Sequence, residues 1–189
     1  MIQPGAILLD RDGTIIVERD YLRDPTLVEL EASAVEGLRK LTSAGWRLVV
    51  LTNQSGVARG YFDRQLVDTI NAVVHKKLEQ HGICVSGWFV CPHGQSDGCA
   101  CRKPMPGLAV EASVMLGIDL KASWMIGDKV SDIALAQAIE GRAILVRTGH
   151  ATTMDENAAH ACNAWVADNL DEAAEIVLSN TVGRSSSLR

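Results

Sequence analysis

The sequence predicts a three-layer α/β/α fold of the Rossmann-like kind, in which a parallel sheet is covered by helices on both faces. Two observations predict it. Short apolar runs recur along the chain and are continuous rather than alternating, which is typical of parallel strands buried on both faces. Segments with the helical spacing of apolar residues separate these runs, and such alternation of strand and helix is the pattern of a doubly wound sheet.

The apolar runs and the periodic segments give the predicted elements in order. The strands are AILLD (6–10), RLVVLT (47–52), VSGWFVC (85–91), SWMIGD (123–128), RAILVRT (142–148) and NAWVAD (163–168). The helices are 34–44, 63–81, a segment that Pro106 opens and Gly117 closes, 131–140 and 170–178. Asp63 is a candidate N-cap residue for the second of these helices. We find no linker or repeat, so residues 1–179 are predicted to form one domain, and the Ser-rich residues 180–189 a disordered tail.

Composition and charge exclude several function classes. The chain has 189 residues, 47% of them hydrophobic, and a net charge of −5, so one domain with a sizeable core is expected. A clustered basic surface is lacking, which argues against a nucleic-acid partner. No signal peptide or membrane-spanning stretch is recognisable, which predicts a cytoplasmic protein without a membrane partner, where metal thiolates are commoner than disulfides.

Polar residues follow four of the predicted strands at the point where each strand ends. They are Asp10 and Asp12 after the first strand, Thr52 at the end of the second, Lys103 after the third, and Asp128 and Asp132 after the fourth. In an open α/β sheet the ligand binds at this edge. A cluster of oxygen ligands suits Mg²⁺, and a lysine with a hydroxyl suits the oxygens of a phosphoryl group.

These motifs, in this order, resemble those of the haloacid-dehalogenase superfamily of phosphatases. The resemblance covers about residues 5–150 and implies that superfamily's fold. Within the superfamily, DRDGT, TNQSGVARGYF, CPH…CxCRKP and MIGDK are similar to the motifs of D-glycero-D-manno-heptose 1,7-bisphosphate phosphatases, which serve the synthesis of nucleotide-activated heptose. Either anomer of the heptose is compatible with these motifs. Histidinol-phosphate phosphatases share the first motif and CRKP and remain an alternative, as does another small phosphorylated metabolite.

The resemblance implies a mechanism through a covalent intermediate. Asp10 would attack the phosphorus and become an aspartyl phosphate, and Asp12 would act as general acid and then as general base. Thr52 and Lys103 would hold the phosphoryl oxygens. Mg²⁺ would be bound by Asp10, by the backbone carbonyl of Asp12 and by Asp128. Asp132 is predicted to orient Lys103 or a metal-bound water rather than to bind the metal.

The substrate is expected to be a small phosphorylated sugar that is bound by loops, because the spacing between motifs leaves no room for a separate cap domain. The candidate contacts are Glu18, Arg19, Asp20 and Tyr21 after the first strand, Asn53, Gln54, Ser55 and Arg59 after the second, Arg102 beside the lysine, and Lys129 after the fourth strand. An ordinary polar loop or a solvated charge is the alternative for several of them, above all for Lys129. The chain is expected to be a monomer.

The segment CPHGQSDGCAC contains a second constellation. Cys91, His93, Cys99 and Cys101 form a C-x-H-x5-C-x-C pattern, a full set of ligands for structural zinc with no open position for water. A disulfide between Cys99 and Cys101 would be strained. The zinc is therefore predicted to staple the loop that carries Arg102 and Lys103. The other two cysteines, Cys84 and Cys162, are predicted to be core residues.

Two other classes of protein share part of this pattern. Receiver domains of signalling proteins also combine acids, a threonine, a lysine and Mg²⁺, but their acid pair is adjacent rather than spaced by one residue, and a zinc loop has no use in them. A zinc-binding interaction module would leave the acidic cluster without a role. Both are disfavoured against a phosphatase.

Overall fold

One parallel sheet of six strands organises the chain. The computed structural model describes residues 3–181. Its strands are β1 Ala6–Leu9, β2 Arg47–Asn53, β3 Val85–Cys91, β4 Trp124–Gly127, β5 Arg142–Val146 and β6 Trp165–Ala167. They lie in the order β3-β2-β1-β4-β5-β6, and every pairing is parallel. The order reverses between β1 and β4, which is where such sheets bind ligands.

Helices cover both faces of the sheet. They are α1 Ala34–Ser43, α2 Arg64–Glu79, α3 Gly107–Leu116, α4 Val130–Ala138, α5 Thr153–Ala161 and α6 Leu170–Thr181, with a short 3-10 turn at Pro25–Leu27. Buried residues of α1, α2 and α6 pack on one face of the sheet, and those of α3, α4 and α5 pack on the other. The three-layer fold predicted from the sequence is confirmed, and the described residues include no separate cap domain between the strands.

Local signals explain the ends of the helices. The Asp63 side chain accepts a hydrogen bond of 2.8 Å from the backbone N–H of Leu66, as expected for an N-cap. Gly117 ends α3 in the left-handed conformation, which costs glycine no steric penalty. The α5 helix was missed because its sequence is polar and Ala159 is its one buried residue, so apolar periodicity is absent. The available signal in the sequence was a threonine followed three residues later by an aspartate, Thr152 and Asp155, which form a capping box at the start of the helix.

Two further expectations concern single positions. Residues 180 and 181 of the predicted tail complete the last turn of α6, and residues 182–189 lie outside the described range. The prediction that Cys84 belongs to the core was wrong, because this residue is exposed between α2 and β3. Within residues 3–181, no helix combines the length and the apolar character that crossing a bilayer requires.

Candidate active site

A cavity of about 640 Å³ opens beside the carboxyl ends of β1 and β2. Most of the predicted site residues reach it. Its lining includes Asp10, Asp12, Glu18, Asp20, Tyr21, Asn53, Gln54, Ser55, Arg102, Lys103 and Lys129, and also Arg11, Cys99 and His150, which were not among the predicted site residues of this cavity. Loops contribute nearly all of this lining, so the cavity is shaped by loops, as expected.

Three carboxylates converge beside the cavity, one of which, Asp10, also lines it. Asp10, Asp128 and Asp132 are all buried, and each offers an oxygen within 4.8 Å of the oxygens of the others. The Oδ1 atom of Asp128 is buried and has no hydrogen-bond partner among the described residues. A buried carboxylate oxygen without a partner is costly. These residues therefore fit a hard divalent cation such as Mg²⁺, which prefers carboxylate oxygens.

The environment of Asp128 opposes its charge when no cation is present. Burial, followed by the nearby Asp10 carboxylate, raises the pKa of Asp128 to about 7. The backbone N–H of His150 donates a hydrogen bond of 2.7 Å to Oδ2, which holds this oxygen and leaves Oδ1 to face a ligand. A bound cation would favour the ionised carboxylate.

Lys103 is the one buried lysine among the described residues. Its Nζ lies 2.9 Å from Asp10 Oδ1 and 2.7 Å from Asp132 Oδ1. Burial opposes the charged form, but the two carboxylates outweigh it and raise the pKa of Lys103 above its ordinary value. The contact with Asp132 is the one that the sequence analysis predicted. Asp132 Oδ2 accepts a hydrogen bond from the backbone N–H of Lys129, so the first turn of α4 fixes the orientation of the Asp132 carboxylate.

The end of β2 fixes the backbone of Lys103. The Asn53 amide donates to the Lys103 carbonyl at 3.1 Å, and Asn53 Oδ1 accepts from the Lys103 N–H at 3.0 Å. This two-point contact occupies the side chain that the sequence analysis had considered for substrate. Thr52, one position earlier, is buried, and its hydroxyl accepts a hydrogen bond of 2.8 Å from Gln54 Nε2.

Neighbouring side chains hold the Asp12 carboxylate on two sides. Arg11 Nη2 donates to Oδ1 at 3.0 Å, and Arg11 Nε donates to Oδ2 at 3.1 Å. Gln54 Nε2 donates to Oδ2 at 2.8 Å. Gln54 thus contacts Asp12 and Thr52, which gives it a place in the site that differs from the predicted sugar contact. The Arg11 side chain is buried, and its Nη1 donates to Asn71 Oδ1 on α2 at 2.8 Å.

Gly13 allows the turn after β1 to lie close to Asp128, which follows β4. Its φ of +72° lies in the left-handed region, and a Cβ at this position would come within 2.6 Å of Asp128 Oδ2 and 2.9 Å of Gly149 Cα. A side chain there would push the turn after β1 away from Asp128. The glycine of DRDGT therefore determines the distance between the acids of β1 and β4.

The predicted substrate loop divides into two groups. Glu18 faces the cavity, and its Oε2 lies 3.4 Å from His150 Nε2 and 3.6 Å from Lys129 Nζ. Arg19 pairs instead with Glu29 at 2.7 Å and is not among the residues that line the cavity.

Aromatic stacking connects this loop to the one after β2. Tyr21 packs edge-on against Tyr61 with ring centroids 5.0 Å apart. The Arg59 guanidinium lies 5.7 Å from the centre of the Tyr21 ring. Arg59 therefore packs against a residue that lines the cavity and is not itself among the lining residues. The prediction of direct substrate contact has geometric support for Glu18, Asp20 and Tyr21, and lacks it for Arg19 and Arg59.

The cysteine loop brings its four predicted ligands together. Cys101 Sγ lies 3.2 Å from Cys91 Sγ, 3.5 Å from Cys99 Sγ and 3.1 Å from His93 Nδ1. Cys91 Sγ lies 3.8 Å from Cys99 Sγ and 3.6 Å from His93 Nδ1. These separations are too long for a disulfide, and they match the edges of a tetrahedron around a zinc ion with bonds of about 2.0–2.3 Å. The cluster therefore fits tetrahedral zinc.

The thiols of this cluster differ in acidity. Burial raises the pKa of Cys91 to about 12. Burial also acts against ionisation of Cys99, but hydrogen bonds from the backbone N–H groups of Arg102 and Cys101 outweigh it and lower the pKa to about 7. A metal that binds here must therefore displace protons. Arg102 follows the last cysteine, lines the cavity, and donates a hydrogen bond of 3.1 Å to the His93 carbonyl.

Three contributors were not predicted as site residues. Arg11 donates to Asp12, Asn71 accepts a hydrogen bond from Arg11, and His150 donates its backbone N–H to Asp128. A buried arginine between two aspartates was the available signal for Arg11. Asn71 had only its polar character within the apolar stripe of α2 as a signal, and a backbone contact such as that of His150 leaves none.

Known proteins share this sequence and fold. A family model described as HAD-hydrolase-like matches residues 100–173. The D-glycero-beta-D-manno-heptose-1,7-bisphosphate 7-phosphatase of Escherichia coli K12 is 37% identical over 181 residues, which cover 91% of this chain and 93% of that protein. The Pseudomonas aeruginosa protein of the same name is 39% identical over 146 residues, 76% of this chain and 81% of its own length.

A solved structure gives the same result. The crystal structure of D,D-heptose 1,7-bisphosphate phosphatase from B. bronchiseptica, complexed with magnesium and phosphate, superposes with a TM-score of 0.83 at 32% identity and covers 94% of this chain and 99% of that one. The chain belongs to the D-glycero-beta-D-manno-heptose-1,7-bisphosphate 7-phosphatase family of the haloacid-dehalogenase-like hydrolases.

Proposed function

We propose that this protein hydrolyses the 7-phosphate of D-glycero-β-D-manno-heptose 1,7-bisphosphate, through an aspartyl phosphate on Asp10. One observation carries the proposal: the buried ammonium of Lys103 bridges Asp10 and Asp132 directly beside the unpartnered oxygen of Asp128. Three carboxylates and one ammonium leave an excess of negative charge, so a nucleophilic carboxylate needs cations there to approach an anionic phosphate. Relatives named for this activity support the choice of substrate.

Asp10 is the nucleophile in this proposal. One Oδ atom is held by the Arg11 backbone N–H at 2.8 Å and by Lys103 Nζ at 2.9 Å, which leaves the other for attack on phosphorus. The bond from Asp10 to phosphorus forms while the bond from phosphorus to the sugar oxygen breaks. Lys103 and the Thr52 hydroxyl hold the non-bridging oxygens, whose charge must be stabilised during transfer.

Asp12 transfers the protons. Its carboxyl group protonates the departing sugar oxygen, and the carboxylate so formed then removes a proton from the water that attacks the aspartyl phosphate. The released phosphate leaves Asp10 free for the next cycle. Asp12 suits this task because it is half-buried, lines the cavity and is held by Arg11 and Gln54.

Mg²⁺ is the proposed catalytic cofactor, held by the carboxylates of Asp10 and Asp128 and by the backbone carbonyl of Asp12. When bound, it supplies charge neutralisation between the nucleophile and the phosphate. Asp132 is proposed to act through Lys103, because its Oδ1 is 2.7 Å from Nζ. Crystals of the B. bronchiseptica relative that hold magnesium and phosphate support this assignment of the cofactor.

Loop residues would recognise the rest of the substrate. Glu18, Asp20 and Tyr21 offer acceptors for sugar hydroxyls on one wall of the cavity, and Ser55 lies on another. Arg102 and Lys129 supply positive charge for the 1-phosphate, and a guanidinium can fork onto two phosphate oxygens.

Structural zinc at Cys91, His93, Cys99 and Cys101 is part of the same proposal. All five cysteines are free thiols rather than disulfides, which suits a cytoplasmic protein. We expect a monomer, as the sequence analysis does.

A parallel rate comparison tests the substrate. The β and α anomers of the heptose bisphosphate and histidinol phosphate are supplied with Mg²⁺ under identical conditions, and released phosphate is measured. We expect kcat/KM for the β anomer to exceed that for histidinol phosphate by at least about 100-fold, because a site built around hydroxyl and phosphate contacts rejects ligands that lack them. Comparable rates on all three would overturn the substrate assignment.

The matched variant for the covalent step is Asp10→Asn, which keeps the size of the side chain and removes the nucleophilic oxygen. We expect kcat to fall by about 10³-fold or more. Full activity of this variant would exclude the aspartyl phosphate.

A further inference from the structure

We propose that Arg11 and Asn71 are positioning residues that aim the Asp12 carboxylate at the leaving group of the substrate. The proposal rests on the proposed function, since it concerns the proton that Asp12 donates. Its basis is a chain of hydrogen bonds that starts on α2 and ends in the cavity.

The first link is the burial of Arg11. Its side chain is among the largest fully buried ones of the molecule, with 1% of the residue exposed. A buried guanidinium is tolerated only when its charge and its N–H groups find partners. Within residues 3–181, Asp12 is the one carboxylate to which its side chain donates hydrogen bonds. Arg11 and Asp12 must therefore stay together in the folded protein.

The second link is the geometry of the pair. Nε of Arg11 donates to Oδ2 of Asp12, and Nη2 lies 3.0 Å from Oδ1 and 2.9 Å from Oδ2, so the fork of the guanidinium contacts both carboxylate oxygens and limits the rotation of the carboxylate. Gln54 adds a third donor on Oδ2 at 2.8 Å. Asp12 nevertheless keeps 17% of its side chain exposed and lines the cavity. The carboxylate is thus held from behind and open in front.

The third link anchors the guanidinium itself. Nη1 of Arg11 donates to Oδ1 of Asn71 at 2.8 Å, and Asn71 is buried on α2. Asn71 interrupts the apolar stripe of this helix, next to Ile70 and one turn before Val74, which both pack on the sheet. A polar residue there has no packing advantage over leucine. Its acceptor oxygen is explained by the need to set the rotation of the guanidinium.

A chemical consequence separates positioning from mere structural support. Breaking the phosphate–oxygen bond of a sugar phosphate leaves a strongly basic alkoxide, which needs the proton of Asp12. The same bond in p-nitrophenyl phosphate leaves a weakly basic phenolate, which departs without it. Because kcat/KM reports steps up to the first irreversible one, it excludes the later attack of water. Displacing the Asp12 carboxyl from the leaving group should therefore lower kcat/KM for the sugar ester far more than for the aryl ester.

The experiment measures kcat/KM for both esters in four variants. Arg11→Met removes the fork, and we expect a fall of about 100-fold on heptose bisphosphate against less than about 5-fold on p-nitrophenyl phosphate, since general acid catalysis contributes about 10²–10⁴-fold. Asn71→Leu removes only the anchor, with falls of about 10-fold and about 2-fold expected. Asn71→Asp keeps an acceptor oxygen and should recover most of the loss. Arg47→Met, which removes a half-buried arginine remote from the cavity, is the control.

The outcomes are distinct. If Arg11→Met does not fold, the comparison of Asn71→Leu with Asn71→Asp decides. Equal losses on the two esters, or an Asn71→Asp variant no better than Asn71→Leu, would overturn the positioning role and leave the proposed function intact. A wild-type protein that hydrolyses neither ester would overturn the proposed function, and this inference with it.

Discussion

The acidic cluster and the cysteine cluster differ in the chemistry of their ligands and in how the chain brings those ligands together. Asp10 and Asp128 are buried carboxylates, which are hard ligands, and they follow strands β1 and β4, far apart along the chain. The ligands of the cysteine cluster are thiols and an imidazole, which are softer; all but the buried Cys91 are at least partly exposed, and all lie between the end of β3 and the loop after it. The acidic cluster can form only when the sheet has assembled, whereas the cysteine cluster orders its own loop. Lys103 connects them, since it follows Cys101 by two residues and contacts Asp10.

The largest effect is expected at the residue that joins the two clusters. Lys103→Met should lower kcat by about 10³-fold, because removing a preorganised charge from a buried catalytic site costs this much. It should also destabilise the fold by about 3–5 kcal/mol, because Asp10 and Asp132 lose their buried counterion. Steady-state kinetics and denaturant unfolding measure both.

A double variant separates these two losses. Lys103→Met combined with Asp132→Asn removes one of the stranded charges, so stability should rise toward that of the wild type while kcat stays low. Recovery of activity in the double variant would show that Lys103 acts only as a counterion.

Loss of zinc should lower the stability of the protein. Cys99→Ser removes one of four ligands, and we expect zinc content to fall well below one ion per chain and Tm to fall by at least about 5 °C, because the binding energy of structural zinc is folding energy. Cys84→Ser, at an exposed cysteine outside the cluster, is the matched control and should change neither. Zinc content measured by mass spectrometry together with calorimetry decides, and equal behaviour of the two variants would refute the staple.

The acidic cluster should respond to pH in the range where Asp128 titrates. Burial raises the pKa of Asp128 to about 7, so below this pH a proton occupies the carboxylate that Mg²⁺ needs. The affinity for Mg²⁺ should therefore be constant above about pH 8 and fall by up to about tenfold per pH unit below pH 7. Calorimetric titration of the metal-free protein with Mg²⁺ between pH 6 and 8.5 measures this. Affinity that is independent of pH across this range would contradict the assigned ligand.

The smallest effect is expected at Arg19, which the sequence pattern had placed among the substrate contacts. Its partner is the exposed Glu29, outside the cavity, and an exposed ion pair contributes little. Arg19→Ala should change kcat/KM by less than about twofold, whereas Glu18→Gln, one position earlier and facing the cavity, should raise KM. A large loss in Arg19→Ala would show that the loop rearranges over the substrate.

The sequence predicts the fold well because its strands are continuous apolar runs, and because Asp63 and Gly117 end helices by local chemistry. It predicts the acids from their places at the ends of strands and their roles from the family resemblance, and it predicts the cysteine cluster from the spacing of its ligands. What it misses depends on three-dimensional contacts. Asn53 uses both polar atoms of its side chain on the backbone of Lys103, and Arg11 is buried against Asp12. Neither arrangement follows from residue type, since both depend on how β1, β2 and α2 pack.

We expect a division of roles between the two clusters, in which the cysteine loop positions Lys103 and the acidic cluster binds Mg²⁺ by itself. Cys101→Ser tests it most directly, with kcat and the dissociation constant for Mg²⁺ measured on the same preparation. We expect kcat to fall by about 10-fold or more, because Lys103 loses its placement, and the Mg²⁺ dissociation constant to stay within about twofold of the wild type, because Asp10 and Asp128 belong to other elements. A loss of Mg²⁺ affinity in step with the loss of activity would contradict this division between the two clusters.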